Sequence, residues 1–284
     1  MAAQNGVPRR VKVTKAAGAL GAFVSDVDLR DIVTSNNLFG EIRGLAVEHE
    51  VLFFRDQDVE PTVFQDFARS FGEVLGHPAY ETVGGADDVQ ILESTPDNPS
   101  KIEAWHSDMT FSEAPPSFTL LHGQIIPEFG GDTMWASATR AFETLSPQLQ
   151  AFFEPLTAVH DFRHGFKESL AEPGGRERLA PAIAENPPVE HPVVRTHPET
   201  GKKSLYVNSL FTTHIKELTK LESEQMLAFL YDHIVCAEHT VRLNWSPNTV
   251  AIWDNRSTQH KPVNDFFPQH RKMHRVTICG DRPA

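Results

Sequence analysis

The chain has 284 residues, with 26 Lys and Arg against 38 Asp and Glu, a formal net charge of −12. Forty per cent of residues are apolar and 23% are charged, the balance of a globular chain with a sizeable core, which excludes a disordered one. The acidic surplus speaks against a nucleic-acid partner, and no stretch approaches the roughly 20 apolar residues that cross a bilayer.

In chain order, short strands are expected at 11–13 and around 21–24. A helix follows over 36–48, with Leu38, Ile42 and Leu45 on one face. Residues 51–54 form an apolar run that reads as a buried strand. A helix over 61–71 carries Phe64, Phe67 and Phe71 as a stripe, and Gly72 stands where a C-terminal cap belongs. Residues 118–126 are β-prone and end in a turn at 127–131. Ser146 and Pro147 are a good cap and first-turn pair for a helix reaching Phe153. Residues 166–190, rich in Glu, Pro and Gly, read as a long surface loop suited to a mobile lid. A hairpin is expected from 193–196 and 204–207, placing His197-Pro198-Glu199 in a surface turn. Thr219 and Glu222 form a capping box for a helix bearing Met226, Leu227, Leu230 and Ile234. Residues 249–253 and 274–279 read as closing strands. No repeat or Gly/Ser linker interrupts the chain, so one domain over 1–284 is expected, mainly β with flanking helices. Several short strands with helices outside them suggest a jelly-roll core.

The N-terminus lacks the apolar segment of a secretory signal. Two cysteines, Cys236 and Cys279, are too few for a disulfide framework. Reduced thiols in the cytoplasm are expected.

Fourteen His offer many ligand candidates, so spacing has to select among them. In Trp105-His106-Ser107-Asp108 an extended backbone turns residues 106 and 108 to the same side, so an imidazole and a carboxylate converge. Two His and one carboxylate on one face of an octahedron leave three positions open, the arrangement suited to non-haem Fe(II) and O2. His-x-Asp alone is common by chance, and a second His must come from elsewhere. Near the C-terminus, 250–256 runs from a strand into a polar turn, and His260 follows. Arg271 and Arg275 then share one face of the closing strand. Guanidiniums facing such a pocket are costly unless they meet anions; pairing with the surface carboxylates of an acidic protein is the plainer alternative.

Taken together, Trp105 to Asp108, Gly130-Gly-Asp-Thr-Met-Trp135, and Trp253-Asp-Asn-Arg256 with His260, Arg271 and Arg275 resemble the taurine dioxygenase family, in the right order and from about residue 10 to the end. These are Fe(II)- and 2-oxoglutarate-dependent dioxygenases. The resemblance implies a double-stranded β-helix core, iron ligands at His106, Asp108 and His260, and Thr133 and Arg271 on the distal carboxylate of 2-oxoglutarate. It implies O2 as co-substrate and no catalytic residue beyond the metal ligands. Members of this family are often dimers or tetramers, so a homo-oligomer is expected. Sulfonate-oxidising members use a His in a His-Pro-x-Tyr segment and an Arg four residues after the co-substrate Arg. His77, Tyr80 and Arg275 match those positions, so a small organic anion is the expected substrate.

One position departs from the taurine-specific pattern. Where those members carry an Asn four residues before the first ligand His, this chain has Ile102, which cannot satisfy an ammonium group. Met109 adds a flexible apolar wall. The expected substrate therefore has an anionic head and an apolar body. An alkanesulfonate, releasing sulfite and an aldehyde, is the leading expectation, with alkyl sulfates and aryloxyalkanoates as alternatives. The competing reading of another class is a zinc-binding jelly roll acting as a hydrolase or binder.

Overall fold

The computed structural model describes residues 11–76, 81–99 and 102–284. Its main sheet has eight strands in the order Lys12–Lys15, Ala22–Ser25, Val51–Phe54, Val250–Asp254, Phe118–Ile125, Arg271–Thr277, Ala86–Ser94, Thr82–Val83. Every pairing in it is antiparallel except that between Ala22–Ser25 and Val51–Phe54. A second sheet of three strands orders Thr240–Leu243, Thr133–Ser137, Thr258–Pro262.

Alternation along the central strands divides the core. Outer-facing Leu120, Ile252 and Val276 pack on Phe64 and Phe67 of the helix Pro61–Ser70 and on Phe71 at its C-terminal cap. Inner-facing Leu121, Ala251, Trp253 and Met273 meet Trp135, Val241 and Leu243 of the smaller sheet. Trp135 and Trp253 stand edge to face at 5.7 Å and bind the two sheets together. This is the expected mainly β fold, a jelly roll with helices outside. Among the described residues, no helix is long and apolar enough to cross a membrane.

Local sequence explains most elements. Ser146 caps the helix Pro147–Phe153 by accepting from the Leu149 N–H, and Glu222 accepts from the Thr219 N–H at the start of Lys220–Ile234. Two expectations need correction. Residues 166–190 are not a loop: they contain the helices Lys167–Ala171 and Gly175–Glu185 and the strand Val189–Pro192. Leu179, Ala182 and Ile183, spaced i, i+3, i+4, bury one stripe against a cluster of Phe rings; the polar residues that suggested a loop cover the other face. Nor is His197 a surface residue. It is 3% exposed, and its Nε2 lies 3.0 Å from Asp254 Oδ2.

Asp254 heads a buried ion network. Arg256 donates to both of its oxygens, at 2.8 and 2.7 Å, and also pairs with Glu199 at 2.7 Å. Burial alone would raise the Asp254 carboxyl, but the Arg256 and His197 contacts outweigh it and hold it at about 2. Glu50, after the helix Asn36–His49, has the opposite fate: burial pushes it up to about 7, with Ser137 and Thr139 only partly opposing. Its folded value lies above its unfolded one. The associated stability is therefore complete below about pH 4.5 and is lost as pH rises through about 7, on the order of 3 kcal/mol. Chemical unfolding of Glu50→Gln at pH 5 and pH 8 should show a smaller fall than the unmutated chain. Equal falls would show that Glu50 ionises freely in the fold.

Candidate metal and anion site

Backbone pairing alone brings the ligand residues side by side. His106 N–H donates to His260 O at 3.0 Å and His260 N–H to His106 O at 2.7 Å, an isolated antiparallel bridge. Ser107 Oγ donates to Thr258 O at 2.7 Å. His260 therefore stands on the strand Thr258–Pro262, just beyond the polar turn that follows Trp253. Next in line, the Asn255 side chain accepts from Asp108 N–H at 2.7 Å and donates to Asp108 O and Pro116 O, both at 3.1 Å. Three consecutive residues are thus fastened to the opposite strand and its turn.

The side chains converge as the family resemblance implied. His106, Asp108 and His260 are buried, with their donor atoms all within 4.8 Å of one another. Asp108 Oδ1 lies 3.8 Å from His106 Nε2 and 3.9 Å from His260 Nε2. Separations of this size suit three side chains that would hold one divalent ion between them. The His106 Nδ1 is 2.9 Å from Ala104 O. A carbonyl only accepts, so Nδ1 carries the proton and Nε2 keeps the lone pair a metal needs. Burial lowers both imidazoles, His260 to about 3, favouring the neutral form. Burial alone would raise Asp108, but Arg275 above all, with the Thr119 hydroxyl, outweighs it and holds the carboxylate charged. Thr119 Oγ1 donates to Asp108 Oδ2 at 2.7 Å. Two neutral imidazoles and one carboxylate are the donor set of a divalent first-row metal.

Two arginines flank this group. Arg275 Nη2 is 3.3 Å from Asp108 Oδ1, and its buried Nε has no hydrogen-bond partner. Arg271 donates through Nε to Gly131 O at 3.1 Å and has no carboxylate partner among the described residues. Burial lowers it to about 10, with Asp132 opposing. A desolvated cation held by one carbonyl is a place for an anion. Thr133 is 2% exposed at the start of Thr133–Ser137, beside Gly131.

Of the other candidates, Met109 adopts φ +49° and packs on the aromatic cluster. Ile102 is 38% exposed, its carbonyl accepting from Asn264 Nδ2 at 3.0 Å. His77 and Tyr80 lie outside the described residues.

The spacing did not reveal the apolar wall. Phe111, Phe162 and Phe211 are buried together with Phe166, Leu179 and Ile183 against them, and Phe211 stands edge-on to His106 at 6.5 Å. A Cβ at Gly165 would collide with the Phe211 ring, so glycine is required there. The Phe residues are visible in the sequence, but the wall they form is completed by the helix Gly175–Glu185, whose Pro and Gly content resembles a loop.

The Taurine catabolism dioxygenase TauD, TfdA family profile matches residues 12–277. The chain belongs to the TauD/TfdA family. It is 37% identical to an alkylsulfatase of Acinetobacter baylyi (96% of this chain, 86% of the relative). It is 33% identical to an alpha-ketoglutarate-dependent sulfate ester dioxygenase of Pseudomonas putida (96% and 90%). Among solved structures it resembles a taurine dioxygenase from Burkholderia xenovorans, with a TM-score of 0.81 and 34% identity over 96% of this chain and 91% of that one. It also resembles AAD-2 in complex with Mn(II) and N-oxalylglycine, with a TM-score of 0.80 and 26% identity over 96% and 99%. This TauD/TfdA chain is thus an oxidoreductase of the class dependent on 2-oxoglutarate (alpha-ketoglutarate).

Proposed function

We propose that this TauD/TfdA enzyme is a cytoplasmic Fe(II)-dependent dioxygenase that uses O2 and oxidises the head-bearing carbon of a small organic sulfate ester. The observation that carries the anionic substrate is Arg275, a guanidinium beside the metal ligands with an unpartnered Nε. The wall of Phe111, Phe162 and Phe211 supports an apolar body. The sulfate ester is favoured over the alkanesulfonate because identity to the alkylsulfatase, 37%, exceeds the 34% to an alpha-ketoglutarate-dependent sulfonate dioxygenase of Saccharomyces cerevisiae, which matches over 97% of this chain.

His106, Asp108 and His260 would hold the iron, leaving one face open. Fe(II), 2-oxoglutarate and O2 together supply the oxidising equivalent that replaces a C–H hydrogen by hydroxyl. Arg271 and Thr133 would grip the distal carboxylate of 2-oxoglutarate by charge-assisted hydrogen bonds. Arg275 and His77 would grip the sulfate oxygens, and the aromatic wall would exclude water and hold the target carbon in place. Hydroxylation next to the ester oxygen gives a hemiacetal sulfate, which collapses to an aldehyde and sulfate. The alternative substrate, an alkanesulfonate, fits the same grip and would release sulfite. The zinc hydrolase is disfavoured: it has no use for a free cation at Arg271.

Assay of medium-chain alkyl sulfates, alkanesulfonates and aryloxyacetates should give the largest kcat/KM for the sulfates. Arg275→Leu should raise the KM for the sulfate at least tenfold while 2-oxoglutarate affinity stays within about twofold. Preference for aryloxyacetates, or an unchanged KM in Arg275→Leu, would refute the proposal.

A further inference from the structure

We propose that Trp245 is a positioning residue for 2-oxoglutarate: its indole N–H sets the direction of the Thr133 hydroxyl, and its ring braces the Arg271 guanidinium. The inference rests on the reading that Thr133 and Arg271 hold the co-substrate.

Trp245 is 4% exposed and follows the strand Thr240–Leu243. Its Nε1 is 3.0 Å from Thr133 Oγ1. An indole N–H only donates, so the hydroxyl must accept. The hydroxyl makes no other hydrogen bond among the described residues. Its one proton is therefore left for an acceptor other than Trp245, and a carboxylate is such an acceptor. A side chain able both to donate and to accept would leave the hydroxyl free to point either way. The same ring lies under Arg271, whose guanidinium carbon is 6.0 Å from its centroid. With Nε committed to Gly131 O, the terminal nitrogens remain for a ligand.

The neighbouring residues serve the same end. Arg242 Nε donates to Asp132 Oδ2 at 2.6 Å and Asn244 Nδ2 to Asp132 Oδ1 at 2.9 Å. Leu243 pairs with Thr133 across the ladder. Residues 242–245 therefore fix Asp132 and Thr133 before any ligand arrives, while Asp265, accepting from the Gly131 N–H at 2.9 Å, holds the residue whose carbonyl meets Arg271. Pre-ordering of this kind spares the ligand the cost of ordering its own donors.

The test is calorimetric titration of the Mn(II)-loaded protein with 2-oxoglutarate, with Mn(II) affinity measured separately as a check on folding. Trp245→Phe keeps a ring under Arg271 and deletes only the N–H. It should weaken 2-oxoglutarate binding about five- to tenfold, the size of one hydrogen bond, with Mn(II) affinity unchanged. In a Thr133→Val background the same change should cost less than about twofold. Trp245→Leu, which also removes the brace, should weaken binding further than Trp245→Phe. Equal losses from Trp245→Phe in both backgrounds, or none while Thr133→Val weakens binding, would overturn the inference and leave the co-substrate site standing. If Thr133→Val and Arg271→Gln both bind 2-oxoglutarate as the unmutated protein does, the co-substrate reading itself fails.

Discussion

Replacing Asp108 with Ala should weaken Mn(II) or Fe(II) binding at least about 100-fold and abolish substrate-dependent succinate formation. Asp108 is the one anion of the ligand set, and an imidazole pair alone cannot compensate for dehydrating a divalent ion. The cost reaches beyond the metal. Arg275 loses the carboxylate at 3.3 Å and Thr119 loses its acceptor at 2.7 Å. Removing one partner of a buried pair leaves the other uncompensated, typically about 3–5 kcal/mol. The metal-free variant should therefore melt below the metal-free unmutated protein. Asp108→Asn keeps the shape and the Thr119 contact but not the charge, so it should regain stability less completely than it regains volume, and no activity. Metal titration and thermal unfolding of the three proteins decide the matter. Metal affinity within tenfold of the unmutated value in Asp108→Ala would remove residue 108 from the site.

Arg271→Gln gives the second large effect, and its sign differs between binding and stability. It should weaken 2-oxoglutarate binding about 100-fold, the value of a bidentate charge-assisted contact in a desolvated site, and leave metal affinity intact. Arg271→Lys should recover only part of the loss, since an ammonium cannot fork onto a carboxylate. The unliganded protein should be no less stable, because Arg271 is desolvated and held by one carbonyl. A residue whose removal costs binding but not folding is there for a ligand. A loss of stability exceeding about 2 kcal/mol in Arg271→Gln would mark it as structural instead.

The first two metal ligands were legible because their information is local; His260, far along the chain, came only with the family resemblance. His106 and Asp108 are two residues apart, and the i, i+2 spacing turns their side chains together. Arg271 and Arg275 share a strand face for the same reason. The residues that hold these in place were hidden because their partners are far along the chain. Asn255 fastens Asp108 across 147 positions and Trp245 meets Thr133 across 112. Asn255 was visible as part of Trp253-Asp-Asn-Arg256, but nothing in that stretch says that its carboxamide reads both backbone groups of Asp108. Composition misled in two places. Pro181 and the glycines at 174 and 175 suggested a loop, whereas apolar periodicity at Leu179, Ala182 and Ile183 builds a helix on the aromatic wall. Pro198 and Gly201 correctly marked a turn, yet the His197 at its base is buried on Asp254.

The central claim is that one pocket couples 2-oxoglutarate oxidation at a His106–Asp108–His260 metal to attack on an anion held by Arg275. Its most direct test is to incubate the Fe(II)-loaded protein with 2-oxoglutarate, O2 and a medium-chain alkyl sulfate, and to quantify succinate and inorganic sulfate together. The two products should rise in a 1:1 ratio and stop when either Fe(II) or 2-oxoglutarate is withheld. Sulfate released without succinate would contradict the account and point to hydrolysis.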